Sequence, residues 1–328
     1  MKFFWYLRLI MFTILANGVL MNVNAQQLPQ SSHYLFHQLW LNPASAGSSD
    51  ALQLDFSARG QWVKLEGSPV SQTLSLQMPV PALGAGLGIN VANDQVGIER
   101  TTGLSLALSK VLFEGNLRWS AGLSLGIRQK YLDGSRLITP TGNYNDGIDH
   151  NDPLLSAQGL AAFSPDGSLG LYVSGERLIA GLAAQNVLAL PFQFAGASED
   201  LSIESRRHFL TYGSYRFDIS YEWALRPHLL IKSDLQTHQA EFGLMGVYQS
   251  KWILSLGYRG YNKKTTDSFV GILAYRPSEK WTVVYSYDHT ISSLGRIDIG
   301  SHEISATYRW ANVIKTKNSK TTYNPRFL

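Results

Sequence analysis

The sequence predicts an all-β protein: a transmembrane antiparallel β-barrel of about fourteen strands, with short periplasmic turns and longer extracellular loops. Three observations predict it. Apolar and polar residues alternate with period two along most of the chain after residue 50. The connections between alternating segments sort by parity, short ones interleaved with longer ones. Charged residues make up 16% of the chain, against about 25% in soluble domains, while Gly (29) and Tyr (16) are abundant.

The chain begins as an exported protein. Lys2 and Arg8 form a positive start, an apolar run follows from Leu9 to about Leu20, and Val23-Asn24-Ala25 has the form of a peptidase site. The expected signal peptide is therefore 1–25. The run is short for a helical span of about 20 residues, and no later segment offers one. Cysteine is absent, so an exported chain of this length needs another source of stability, such as a sheet closed in lipid. The net charge of +4 is too small to imply nucleic acid.

The alternation places the barrel in 50–310. Leu52, Leu54, Phe56 and Ala58 alternate with Gln53, Asp55, Ser57 and Arg59, and Trp119 to Arg128 repeats the pattern. Successive strand side chains point to opposite faces, so each segment has one apolar and one polar side. The expected strands are 50–59, 70–78, 84–93, 101–112, 117–131, 168–174, 178–187, 208–219, 226–235, 240–249, 252–261, 268–275, 281–289 and 301–310. The even-numbered connections, such as Ser250-Lys251, are short; 132–167 and 188–207 are long. Aromatics end several apolar faces: Trp252, Leu254, Leu256, Tyr258; Trp281, Val283, Tyr285, Tyr287; Ile304, Ala306, Tyr308, Trp310. Tyr and Trp there suit the headgroup level of outer-membrane lipid.

Two segments flank the barrel. Residues 26–49 carry an aromatic patch, Tyr34, Phe36 and Trp40, and are expected to plug the barrel or lie along its periplasmic mouth. Residues 311–328, with Lys315, Lys317, Lys320 and Arg326, form a basic periplasmic tail.

Catalytic motifs do not survive their context. Gly122-Leu123-Ser124-Leu125-Gly126 spells a nucleophile elbow, which needs a sharp strand-to-helix turn; here it lies within a strand. Gly84-Ala85-Gly86-Leu87-Gly88 lacks the following helix of a dinucleotide loop, and small residues for tight barrel curvature account for it. The eight histidines are scattered without a legible Ser/His/acid grouping. Asp146, Asp149 and Asp152 are a weak Ca²⁺ candidate whose order does not match an EF-hand. The reading is of a non-enzyme without a cofactor.

A series of short motifs resembles the PorP/SprF family, outer-membrane proteins associated with the type IX secretion system of Bacteroidota. Asn42-Pro43-Ala44-Ser45-Ala46-Gly47-Ser48 is similar to the family's opening, and Arg59-Gly60-Gln61-Trp62 with Gly67-Ser68-Pro69 to the close of its first hairpin. Gly86-Leu87-Gly88 followed by Asp94 and Gly97, Ser286-Tyr287-Asp288, and Ser301-His302-Glu303-Ile304 continue the series in order. Ser45 and Ala58 stand where the family commonly has aromatics. The resemblance implies a fourteen-stranded barrel assisting export or surface attachment of particular cargo proteins, of gliding or adhesin type, that carry a C-terminal secretion domain. It implies periplasmic subunits of the same machine as further partners. It marks Asn42, Pro43, Ala44, Gly47, Arg59, Gln61, Trp62, Gly67, Pro69, His302 and Glu303 as structural or partner-binding positions. The alternative from another class is a passive or hydrophobic-solute channel, with inward residues such as Arg59, Arg118 and Arg128 setting selectivity.

Overall fold

The computed structural model describes residues 28–49, 51–145, 147–152, 159–194, 201–261 and 266–310. The expected signal peptide, the basic tail and Asp146 lie outside them. Fourteen antiparallel strands form the wall: β1 (Gln53–Gly60), β2 (Val70–Val80), β3 (Ala85–Val96), β4 (Glu99–Glu114), β5 (Leu117–Leu132), β6 (Leu160–Gly175), β7 (Leu178–Gln185), β8 (His208–Tyr215), β9 (Trp223–Ser233), β10 (His238–Tyr248), β11 (Trp252–Arg259), β12 (Ser268–Tyr275), β13 (Trp281–Thr290) and β14 (Ser301–Arg309). Each pairs with its sequence neighbours, β1 also pairs with β14, and β7, β8 and β9 are joined in turn, so the sheet closes. Closure removes every edge, as strands in lipid require.

Register follows from the alternation. Placing Phe56 outward places Ser57 and Arg59 inward, and a one-residue slip would invert both faces. Leu104, Leu106, Leu125, Leu254 and Leu256 lie exposed on the outer wall. An exposed leucine wall is unfavourable in water and favoured against acyl chains. At one rim, cross-strand rings pair on this outer face: Trp223 with Tyr248, Trp252 with Tyr275, and Trp281 with Tyr308, at centroid separations of 4.3–4.7 Å. Tyr258 and Phe269 pair toward the other rim, about 20 Å along the strand from Trp252 at ~3.4 Å per residue.

The parity of the connections holds. One end carries the tight links, such as Gly115-Asn116, Glu176-Arg177 and Gln249 to Lys251; the other carries 133–159, 186–207 and 291–300. We call these the short-turn and long-loop ends. Two connections at the long-loop end are themselves short, Gly97-Ile98 and 234–237.

Two departures from the expected strands have physical causes. β6 begins at Leu160, not 168, and carries Pro165. Pro165 lies opposite Ile127 in the register, where a proline interrupts the alternation without ending the strand. Within the long connection after β7, Phe192–Phe194 and Leu201–Ile203 form a small hairpin. Its Phe192 and Phe194 pack on Leu160 and Ala162.

Candidate functional site

Residues 28–49 lie inside the barrel and run from the long-loop end to the short-turn end. Gln30 accepts from Lys232 of β9 at 2.6 Å. Tyr34 meets His228 of β9 at 2.5 Å, and Gln38 pairs with Tyr172 of β6. The carbonyls of Trp40 and Leu41 accept from Gln185 of β7. The Ala46 carbonyl accepts from Ser109 of β4, and the Gly47 amide donates to Gln77 of β2. Tyr34, Leu41 and Ala44 join Tyr172, Ala183, Leu210, Tyr212 and Leu230 in one apolar cluster. The lumen is thus filled by the chain itself, with polar bonds at the wall and an apolar patch between.

The Asn-Pro-Ala-Ser-Ala-Gly stretch has a local reason for its shape. Asn42 caps the turn Pro43–Ser45 by accepting from the Ala44 amide at 2.9 Å, and Pro43 suits the first position because no donor is needed there. The Asn42 amide also donates to the Leu171 and Leu182 carbonyls, a cross-strand pair of β6 and β7. Gly47 has φ +65, and a Cβ there would collide with the backbone of Met78, Pro79 and Gly86. The wall is cut away to match. A Cβ on Gly86 would strike Ala46, on Gly88 Leu39, on Gly122 Ala44 and on Gly170 Asn42. Gly86 and Gly88 therefore serve to admit this segment, which corrects the curvature account drawn from sequence. Ser124, between Gly122 and Gly126, sits mid-strand facing inward with no nucleophile-elbow turn.

At the long-loop end the segment meets a buried charge network. Arg59 of β1 binds Asp288 of β13 at 2.7 Å and Glu303 of β14 at 3.3 Å. Arg259 of β11 binds Asp288 and Glu241 of β10, both at 2.8 Å, and reaches Asp267 at 3.5 Å. Each side chain of Arg59, Arg259, Glu241, Asp288 and Glu303 is at most 3% exposed. Ser31 and Ser32 enter this network: the Ser31 hydroxyl and Ser32 amide donate to Glu303. The Ser32 hydroxyl donates to Asp288 and accepts from Arg259. His33 bonds Ser305 and lies 3.5 Å from Glu303. With Lys232 alongside, three cations face the three fully buried carboxylates, Glu241, Asp288 and Glu303, and Asp267 lies at the partly exposed edge, a near balance that burial of this many ions demands.

A cavity of about 590 Å³ remains beside the segment on the β2–β7 side, and Gln61, Trp62, Pro69, Asp94, Arg128 and Lys130 help line it. Trp62 holds φ +51 and donates its amide to Ser301. Gly67, at φ +71, accepts from Gly97 across the loop end.

The sequence-marked residues thus gather in part. Asn42, Pro43, Ala44 and Gly47 form the lumenal turn; Arg59 and Glu303 share the network; Gln61, Trp62, Gly67 and Pro69 cluster at the long-loop mouth. His302 does not join them. It faces outward, bonded to Tyr285 at 2.8 Å and stacked near Tyr287. Arg118 pairs with Glu114 near the short-turn rim. Asp149 and Asp152 belong to no cluster of three metal ligands among the described residues; Asp149 instead accepts from the Asn151 amide. Glu241, Arg259 and Lys232 carried no mark in the sequence.

A closed fourteen-stranded antiparallel barrel with a lipid-facing apolar wall defines an outer-membrane β-barrel protein. Residues 23–308 match the type IX secretion system membrane protein PorP/SprF family, and the chain belongs to it. That family has no catalytic role. No curated protein matches the chain. Among solved structures it is similar to the CymD monoaromatic hydrocarbon channel, 15% identical over 88% of this chain and 95% of that one, at a TM-score of 0.50. It also aligns with the Ralstonia pickettii toluene transporter TbuX (11% identical, 83% and 93% covered, TM-score 0.47) and the Pseudomonas putida toluene transporter TodX (10%, 88% and 96%, 0.47). These likenesses concern the fold alone.

Proposed function

We propose that this barrel is an accessory of type IX export that acts on particular cargo proteins bearing a C-terminal secretion domain, rather than a solute channel. One observation carries the reading: residues 30–47 fill the lumen and are bonded to the wall at both ends. A pore for free diffusion has no use for a bound segment held by buried ions. The remaining cavity also carries Asp94, Glu99, Arg128, Lys130 and Asp166 in its wall, charged groups that a hydrophobic solute would have to desolvate without pairing. In this reading the short-turn end faces the periplasm, where export subunits can reach it, as in other outer-membrane barrels. The lumenal segment then works as a plug, and the loop cluster around Trp62 as an outward cargo-facing surface.

The test is comparative proteomics of medium and cell surface with and without the protein. The expected result is loss of one or a few C-terminal-domain proteins from the surface while bulk secretion continues. An unchanged secreted set, with reduced uptake of a small solute and high conductance in planar bilayers, would establish the channel instead.

A further inference from the structure

The inner rim at the short-turn end carries like charges placed opposite one another. Arg216 continues the inward series His208, Leu210, Tyr212, Ser214 of β8, and Arg226 belongs to the inward series of β9. The register, Ser214 opposite His228 and Phe217 opposite Leu225, sets these two arginines face to face. The pattern recurs twice. Trp252 pairs with Tyr275, and one step further the Arg276 amide donates to the Lys251 carbonyl at 2.9 Å. Trp281 pairs with Tyr308, and one step further the Arg309 amide donates to Lys280 at 2.8 Å. Three neighbouring strand pairs thus each bring two cations to one rim, the arginines continuing the inward series and Lys251 and Lys280 exposed in the turns before their strands. Directly opposed like charges destabilise a sheet, so three such pairs call for a counter-ion.

The wall supplies little. Asp218 engages Arg216 at 2.7 Å and Arg177 at 3.5 Å. Glu222 accepts from the Gln249 amide. Arg309 turns its Nε to Gln53, a neutral partner. Among the described residues no carboxylate pairs with Arg226, Lys251, Arg276, Lys280 or Arg309, and the buried Nε atoms of Arg226 and Arg276 lack hydrogen-bond partners. The other end differs in its ion pairs: Arg59 Nε and Glu241 Oε1 also lack hydrogen-bond partners there, but each of those side chains is held against an opposite charge. Residues 311–328, which follow Trp310 at this rim, contain four Lys and Arg and no Asp or Glu. The chain's own continuation adds charge of the same sign.

We propose that the short-turn mouth of the lumen is a docking site for an acidic peptide segment of a protein partner. Two features select a peptide. The arginines project inward, away from lipid headgroups around the outside of the barrel. They also span an arc: the pairs are two to three strands apart, or about 10–15 Å at ~4.8 Å per strand. One phosphate satisfies one pair, whereas carboxylates three to four residues apart in an extended chain, at ~3.3 Å per residue, match the arc. Guanidinium groups favour such carboxylates through paired N–H donors. The site rests on the export reading only in taking its ligand to be a protein.

The test uses the full purified barrel in neutral detergent and a fluorescent synthetic peptide of about twelve residues with glutamate at every third or fourth position. Saturable binding that weakens steeply with salt is expected. The double variant Arg226→Gln/Arg276→Gln should weaken it at least about tenfold, as loss of desolvated charge pairs does, while Arg100→Gln at the opposite end should not. The double variant should unfold at a temperature no lower than the parent, because it removes repulsion. Loss of thermal stability with unchanged peptide binding would assign these arginines to folding and overturn the proposal. Full competition by inorganic phosphate far below the peptide concentration, or equal binding to vesicles of anionic phospholipid, would overturn the peptide assignment. Failure of peptide binding while deletion still abolishes cargo export would sink this inference alone. Binding with an unaltered secretome would sink the export reading instead.

Discussion

The two ends of the lumen handle charge in opposite ways. At the long-loop end Arg59 and Arg259 lie between Asp288, Glu303 and Glu241, all buried and each in an ion pair. At the short-turn end Arg226 and Arg276 stand without an acidic partner among the described residues. Both sets of side chains occupy inward positions of the same strands or near-neighbouring ones. The difference shows that inward polarity alone does not define a site. Balanced ions hold the chain to itself; unbalanced ions are left for something else.

The largest expected effect tests the balanced end. Asp288→Ala strips both arginines of their shared carboxylate and loosens Ser32. Each guanidinium keeps one other buried carboxylate, Arg59 with Glu303 and Arg259 with Glu241, but the network is left with an uncompensated buried positive charge, which costs about 3–5 kcal/mol. The variant should lose heat-modifiability at a markedly lower temperature on unboiled gels. A temperature equal to that of the parent would show that the network is not needed for stability.

A smaller effect should follow from filling the wall. Gly122→Val places atoms where the backbone of Ala44 lies, and Gly170→Val places them at the Asn42 side chain. Overpacking of this kind costs about 1–3 kcal/mol, and relief comes by displacing the 42–46 turn. Raised single-channel conductance with the barrel still folded is the expected result. Unaltered low conductance would mean that the turn does not close the lumen. Asn42→Ala should act in the same direction more weakly, about 1–2 kcal/mol, because it removes the turn's cap and two bonds to the wall. Protease accessibility of residues 28–49 in intact cells would read out that loosening.

The outer wall was largely legible in the sequence and the lumen was not, for one physical reason. Lipid enforces a uniform apolar face, so Leu104, Leu106 and Leu108 announce themselves by spacing. A polar inward position looks the same whether it meets water, a distant ion or the chain's own beginning. Glu241, Arg259 and Asp288 come together only when strand register is known, and no local pattern in the sequence connects them. A usable signal existed in the strand ends: Arg59, Glu241, Arg259, Asp288 and Glu303 all sit within three residues of their strand's end at the same rim. The glycines gave a second signal that was misassigned. Gly86 and Gly88 suit tight curvature on spacing alone, and only the filled lumen shows what they, Gly122 and Gly170 would each strike. Pro165 hid the first half of β6, since proline argues against a strand interior unless the register is known.

The smallest effect separates two adjacent residues that the sequence treated as one motif. His302 and Glu303 are neighbours in β14 but lie on opposite faces. Glu303 is buried among Ser31, Ser32, Ser57 and Arg59; His302 meets the outer rings of Tyr285 and Tyr287. An outward aromatic cross-strand contact contributes about 0.2–1 kcal/mol, so His302→Ala should shift unfolding by little and leave conductance and export unchanged. Glu303→Gln keeps the shape but removes the charge opposite Arg59 and His33, and it should loosen the Ser31–Ser32 tether measurably. The paired measurement is thermal unfolding in detergent together with protease accessibility of residues 28–49. If His302→Ala equals or exceeds Glu303→Gln in either readout, the lumenal network is not what makes this strand end matter, and the outward ring cluster is the site to pursue.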